Sequence, residues 1–278
     1  MKETAMTFGR GNNLIGIVGE PDNTPPKDTP AVLILNSGSL HKVGAFRLSV
    51  DLTRKLAGNG FRVLRFDLSG LGDSRLRLAK DEHEDLAVTD VREAMDCLAQ
   101  RHGNRKFVLM GLCSGSDNSH RTSLVDDRIV GTVHLDGYGF RNYLYYVNHY
   151  GRRLLSRKFL ARKLTNLAIA DQQGRSREIH SPIGVIERKF PSIEQVEKEF
   201  ARLMERDVRL LYIYTRGGEN YNNYQHQLRD TFKSVDFRDR LELEYYPLAD
   251  HTYPFLRSRA KAIARIVDWL NRQFGGIS

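Results

Sequence analysis

Phe107-Val108-Leu109-Met110-Gly111-Leu112-Cys113-Ser114-Gly115 runs from an apolar segment straight into a turn walled by glycine. The apolar residues form a short continuous run, the pattern of a strand buried on both faces. Gly111 and Gly115 stand two positions before and two after Cys113, and a helix is expected to follow through Leu124. A strand that bends this sharply into a helix needs small residues on both sides of the apex, where the backbone crosses itself. The turn lifts its apex side chain above the sheet and points the next backbone N–H at an oxyanion. At a helix N-terminus the dipole and unpaired N–H groups favour thiolate, the reactive form of a cysteine. Ser114 and Ser116 fit the apex less well, because neither has a small residue two positions away on both sides.

The same alternation extends outward from this strand. Ala31–Leu35, Phe61–Phe66 and Ile129–Leu135 read as further strands. A helical stripe from Phe46 stops at Gly58-Asn59-Gly60, and a longer one through Leu86, Val91, Met95 and Leu98 ends at Gly103. Strands spaced by helices imply right-handed crossovers and a parallel sheet covered on both faces, an α/β architecture. The rhythm breaks after Asp136: from Tyr138 to Arg206 helical patterns occur without a convincing strand. It resumes with the strand Val208–Tyr214, a helix near Tyr224–Phe232, the strand Leu241–Tyr246 and a closing helix over Phe255–Phe274. Met1 to Glu20 is expected to form an antiparallel edge hairpin, joined through Thr24-Pro25-Pro26.

Composition narrows the classes. The chain has 278 residues, 40% hydrophobic and 28% charged, which excludes disordered and collagen-like proteins. No run approaches the roughly 18–20 apolar residues that cross a bilayer, so no membrane span is expected. The N-terminus has no apolar secretory segment, and two cysteines, Cys97 and Cys113, are too few for a disulfide framework. A soluble cytoplasmic protein is the expectation. The net charge of +9 is concentrated: from Arg141 to Arg206 there are 14 Lys and Arg against 7 Asp and Glu. Such a field suits an anionic partner, or is a solvated basic surface. No nucleic-acid-binding motif accompanies it.

Further candidates fall at the C-terminal ends of strands, where ligands bind in open parallel sheets. His251 lies between the last strand and the last helix, placed to take a proton from Cys113. An acid to orient it has two main candidates: Glu219 after the strand ending at Tyr214 is preferred, Asp136 is its rival, and Asp250 is an outsider. Ser37, Gly38 and Ser39 supply small residues whose N–H groups can complete an oxyanion hole beside that of Ser114. The loop Phe66–Ser74 has neither the spacing of a dinucleotide loop nor a Walker lysine, and no cofactor or metal is expected.

With the run Asp67-Leu68-Ser69-Gly70-Leu71-Gly72-Asp73-Ser74, the turn at Cys113, the acid candidates and the late His251, the chain resembles the α/β-hydrolase superfamily. The resemblance runs from about Ala31 to the C-terminus and keeps the order nucleophile, acid, histidine. It implies a mainly parallel sheet of about eight strands, with residues 1–137 and 207–278 as the core and 138–206 as a helical cap. Two departures stand out. Asn36-Ser37 replaces the usual His-Gly, and Cys replaces Ser, as in dienelactone hydrolases and Cys-type thioesterases and acyl shuttles. The implied chemistry is hydrolysis of an acyl ester or thioester through an S-acyl-cysteine. The alternative is acyl transfer to a carrier thiol, amine or alcohol; a retired, non-catalytic binding protein is the third reading. Tyr138, Tyr143 and Tyr146, at the entrance of the expected cap, either line an acyl pocket or pack the cap onto the sheet. Arg152-Arg153, Arg157-Lys158 and Arg162-Lys163 recur at helical spacing and would meet a phosphopantetheine carrier or coenzyme A.

Overall fold

The computed structural model describes residues 1–77, 85–154 and 190–275. Eight strands form one sheet in the order β1-β2-β4-β3-β5-β6-β7-β8. β1 (Lys2–Phe8) and β2 (Leu14–Glu20) make the expected edge hairpin, with Lys2 opposite Glu20 and Phe8 opposite Leu14. β2 pairs antiparallel with β4 (Val63–Asp67). β3 (Ala31–Leu35), β5 (Phe107–Leu112), β6 (Ile129–Leu135), β7 (Arg209–Thr215) and β8 (Leu241–Tyr246) complete a parallel array with β4. The mainly parallel eight-stranded sheet inferred from the sequence is therefore the sheet that forms.

The strand period of two sorts each strand onto both layers. Val32, Ile34, Val108 and Met110 face α1 (Leu48–Ala57) and α7 (Leu256–Phe274), packing with Leu52, Leu56, Ile266 and Trp269. The alternate residues Leu33 and Leu109 face α2 (Leu86–His102), where Val91, Met95 and Leu98 fill the other side. Both ends of α2 are fixed locally. Asp85 accepts hydrogen bonds from the N–H groups of Ala87 and Val88, and Gly103 takes a left-handed φ of 72° to stop the helix. Among the described residues no helix is long and apolar enough to cross a membrane.

The segment 138–206, expected as a cap, is described only at its two ends. α4 (Tyr143–Leu154) follows β6, and residues 155–189 lie outside the described residues. α5 (Ile193–Glu205) buries Val196, Phe200 and Leu203 against Leu210, Tyr212 and Tyr214 of β7. That end of the segment therefore packs on the sheet. A short helix α6 (Gln227–Thr231) separates β7 from β8.

Candidate active site

The turn after β5 is built without slack. α3 (Ser114–Ser123) begins one residue after Cys113, whose backbone takes φ 56°, ψ −119°, a conformation rare for a residue with a side chain. Its N–H donates to the Leu135 carbonyl at 2.9 Å, and its own carbonyl accepts from Ser116 N–H at 2.9 Å. A Cβ on Gly111 would collide with the backbone of Gly115, and one on Gly115 with the Asn36 carbonyl. These contacts are why the sequence keeps glycine on both sides of the apex. Cys113 is left partly exposed above the sheet.

His251 comes from the loop after β8. Gly217 lies so close to its backbone that any side chain there would displace it, and Arg216 N–H ties the loop down through the Ala249 carbonyl at 3.1 Å. The His251 Nδ1 is 2.7 Å from Asp136 Oδ2, and the ring also hydrogen-bonds Cys113. With Nδ1 committed to the carboxylate, Nε2 is the nitrogen left for the sulfur. Burial alone would lower the ring's pKa. Hydrogen bonds and charge from Asp136 and Cys113 outweigh it and raise the value from 6.5 to about 10.

Asp136 sits one residue beyond β6 with a φ of 47°. Its carboxylate is buried and accepts from both the N–H and the hydroxyl of Thr215, each at 2.6 Å. Those bonds hold one face of the carboxylate while Oδ2 meets the imidazole. Glu219, preferred from the sequence, does not reach it. The 3-10 turn Arg216–Gly218 swings Glu219 outward, where it is well exposed and pairs with Arg216 at 3.3 Å. Asp250 also faces elsewhere, accepting from the N–H and hydroxyl of Thr252.

The loop after β3 approaches the turn at Cys113 as expected, though one of its amides is already engaged. Gly38 N–H donates to Ser114 Oγ at 2.7 Å, which ties this loop to the first residue of α3. This loop is clamped by residues to which the sequence gave no role. Asn36 is buried; it donates to the Leu40 carbonyl and to Asp67 Oδ1, and accepts from Leu68 N–H at 2.7 Å. Asp67 is fully buried and also accepts from Lys42 N–H at 2.5 Å, Lys42 Nζ at 2.8 Å and Asp73 N–H at 3.0 Å. Gly72 must be glycine, since a Cβ would strike the Asp67 carboxylate. His41, Asp67 and Asp73 converge as metal ligands would. The Lys42 ammonium already stands among them, bonded to all three.

α3 buries an unusual number of polar side chains. Ser116 Oγ meets His134 Nδ1 at 2.7 Å, and His134 Nε2 meets Thr132 Oγ1 at 2.8 Å. His134 also stacks on Tyr212, with centroids 4.2 Å apart. This chain ties the first turn of α3 to β6, two residues before Asp136. Thr215, Gly217 and His134 escape a sequence reading because each acts through a contact distant in sequence. Of the tyrosines expected to line an acyl pocket or to pack the cap, Tyr138 is buried in the core beside His120 and Phe190. Tyr143 and Tyr146 are exposed on α4. The basic pairs from Arg152 to Lys163 fall outside the described side chains.

The fold has known counterparts. Residues 30–165 match a family model described as alpha/beta hydrolase fold. The chain has the alpha/beta hydrolase fold. An α/β serine hydrolase without a lid from Xanthomonas campestris superposes with a TM-score of 0.55 at 12% identity, over 98% of this chain and 93% of that one. An esterase from Pyrococcus furiosus gives 0.59 at 13% identity, over 99% and 91%. An α/β hydrolase from a Penicillium species gives 0.61 at 12% identity, over 99% of both chains. No curated protein matches the sequence.

Proposed function

We propose that this α/β-hydrolase is an acyl-ester or acyl-thioester hydrolase that works through an S-acyl-cysteine. The observation that carries the reading is the chain Cys113–His251–Asp136 at the turn after β5. Cys113 Sγ attacks the acyl carbonyl as thiolate, and the carbonyl π electrons move to oxygen, opposite the amides of Ser114 and the β3 loop. Collapse expels the alcohol or thiol, which takes a proton from His251 Nε2. Acylation has now removed the thiolate and the ring has lost its extra proton, so the neutral imidazole can accept a proton from water. Attack of that water and loss of Sγ as thiolate release the acid. Asp136 holds the ring's orientation throughout and faces the positive charge of the imidazolium.

Sulfur at the apex favours a second reading, acyl transfer. The intermediate is itself a thioester, so exchange with an incoming thiol is nearly isoenergetic, and a small acyl donor carried by coenzyme A or a carrier protein fits that scheme. Intact-protein mass spectrometry after exposure to p-nitrophenyl acetate and acyl-coenzyme A tests the reading. A single acyl adduct is expected on the wild type and none on Cys113→Ala. An adduct that survives the substitution would overturn the assignment of the sulfur. An adduct that decays in buffer indicates hydrolysis; one that waits for an added thiol indicates transfer.

A further inference from the structure

The exposed apolar side chains are distributed unevenly. Most of the large ones in the described residues lie in segments leaving the C-terminal ends of strands, the end that carries Cys113 and His251. The densest group flanks the His251 loop: Leu248 is 90% exposed, Phe255 67% and Leu256 74%. Single exposed leucines are ordinary, but three protruding apolar residues within one short segment form a patch. They border an open groove of about 470 Å³ walled by Tyr246, Pro247, Leu248 and Phe255.

The charged side chains that line this groove are cations, with Glu244 near Tyr246 and the exposed Asp250 in the same loop outside the lining. Arg257 and Lys261 line it, no acidic residue does among its described lining residues, and Lys261 Nζ sits 4.2 Å from the centre of the Tyr246 ring. α7 starts here with Phe255 as a cap that makes no side-chain hydrogen bond, and its first turn holds no acid. A cation in that first turn opposes the helix dipole, so the stability of the helix does not explain Arg257. Apolar tips that project beyond a collar of cations suit a water–lipid boundary. The tips enter the acyl region while the cations meet anionic headgroups.

We infer that the His251 rim docks on an anionic lipid bilayer, turning the mouth of the site toward the membrane surface. Co-sedimentation with vesicles tests it, using phosphatidylcholine alone and phosphatidylcholine with phosphatidylglycerol. The wild type is expected to pellet with the anionic vesicles and to be released by added salt. The pair Leu248→Ser and Phe255→Ser should weaken binding about tenfold or more, and Arg257→Glu with Lys261→Glu should abolish the preference for phosphatidylglycerol. Val125→Ser, at an exposed apolar residue in the connection between α3 and β6, should bind like the wild type. Leu248→Ser alone guards against misfolding, because its side chain is almost wholly in solvent. Cys113→Ala should pellet normally, so a failure of the proposed chemistry and a failure of docking are told apart. Absence of vesicle binding, or equal loss in Val125→Ser and Phe255→Ser, would overturn the inference. So would a dimer in light scattering that Phe255→Ser dissolves without any vesicle binding; the face would then belong to a second copy.

Discussion

The turn after β4 and the turn after β5 both follow parallel strands, both depend on glycine, and both present a polar side chain at the same edge of the sheet. Asp67 in the first is fully buried and accepts from Asn36, Asp73 and both nitrogens of Lys42. Cys113 in the second is partly exposed, and a strained backbone fixes its position before its side chain meets His251. The difference separates scaffold from chemistry. A structural carboxylate is held by saturating its acceptors, whereas the cysteine proposed as nucleophile is held by its main chain, which leaves its side chain capacity for a reaction.

Substitutions can break that distinction. Cys113→Ala should lower acyl turnover by about 10⁴-fold or more while leaving the thermal midpoint nearly unchanged. Asp67→Ala should do the reverse. It removes the acceptor of the Asn36 amide and of the Lys42 and Asp73 N–H groups and one of the two carboxylates paired with the buried Lys42 ammonium, costs about 3–5 kcal/mol in a urea titration, and reduces activity chiefly by depleting folded protein. If Asp67→Ala kept its stability and Cys113→Ala lost it, the two turns would have been assigned the wrong way round. Asp136→Asn should cost about 10²-fold in kcat, less than in a serine enzyme, because in the proposed mechanism the attacking thiolate is paired with imidazolium before substrate arrives.

The pH dependence sharpens the comparison further. His251 is raised from 6.5 to about 10, so its contribution to stability is full below pH 6.5 and is lost as pH rises through about 10. The thermal midpoint of the wild type should therefore fall more steeply than that of His251→Gln over that alkaline range. Glu219→Gln marks the lower limit, with turnover expected within about twofold of wild type, because an exposed ion pair with Arg216 contributes little.

Much of this arrangement is written locally. The strands, the turn at Cys113 and the position of His251 follow from period-two apolar runs and from glycine spacing, which short windows of sequence contain. The acid does not. Asp136 and Glu219 lie at the same edge within a few residues of a strand, and only Thr215, across the sheet, distinguishes the carboxylate that is aimed inward. The end of the insertion is hidden for a related reason. Ile193–Glu205 has the amphipathic pattern of any helix, and its docking on β7 is not visible in a segment that shows no alternation around it. The paired role of Asp67 and Lys42 is also unreadable, since 25 residues separate them in the chain.

Lys42 carries one more consequence. The positive charge that clips the β3 loop to the Asp67–Ser74 turn is covalently part of the chain, not drawn from the medium. Its effective concentration beside the carboxylates is fixed at synthesis, and dialysis or a change of buffer ions cannot dilute it. The loop beside Cys113 thus comes with its own fastener, and its shape should stay constant across environments whose free-cation content differs widely.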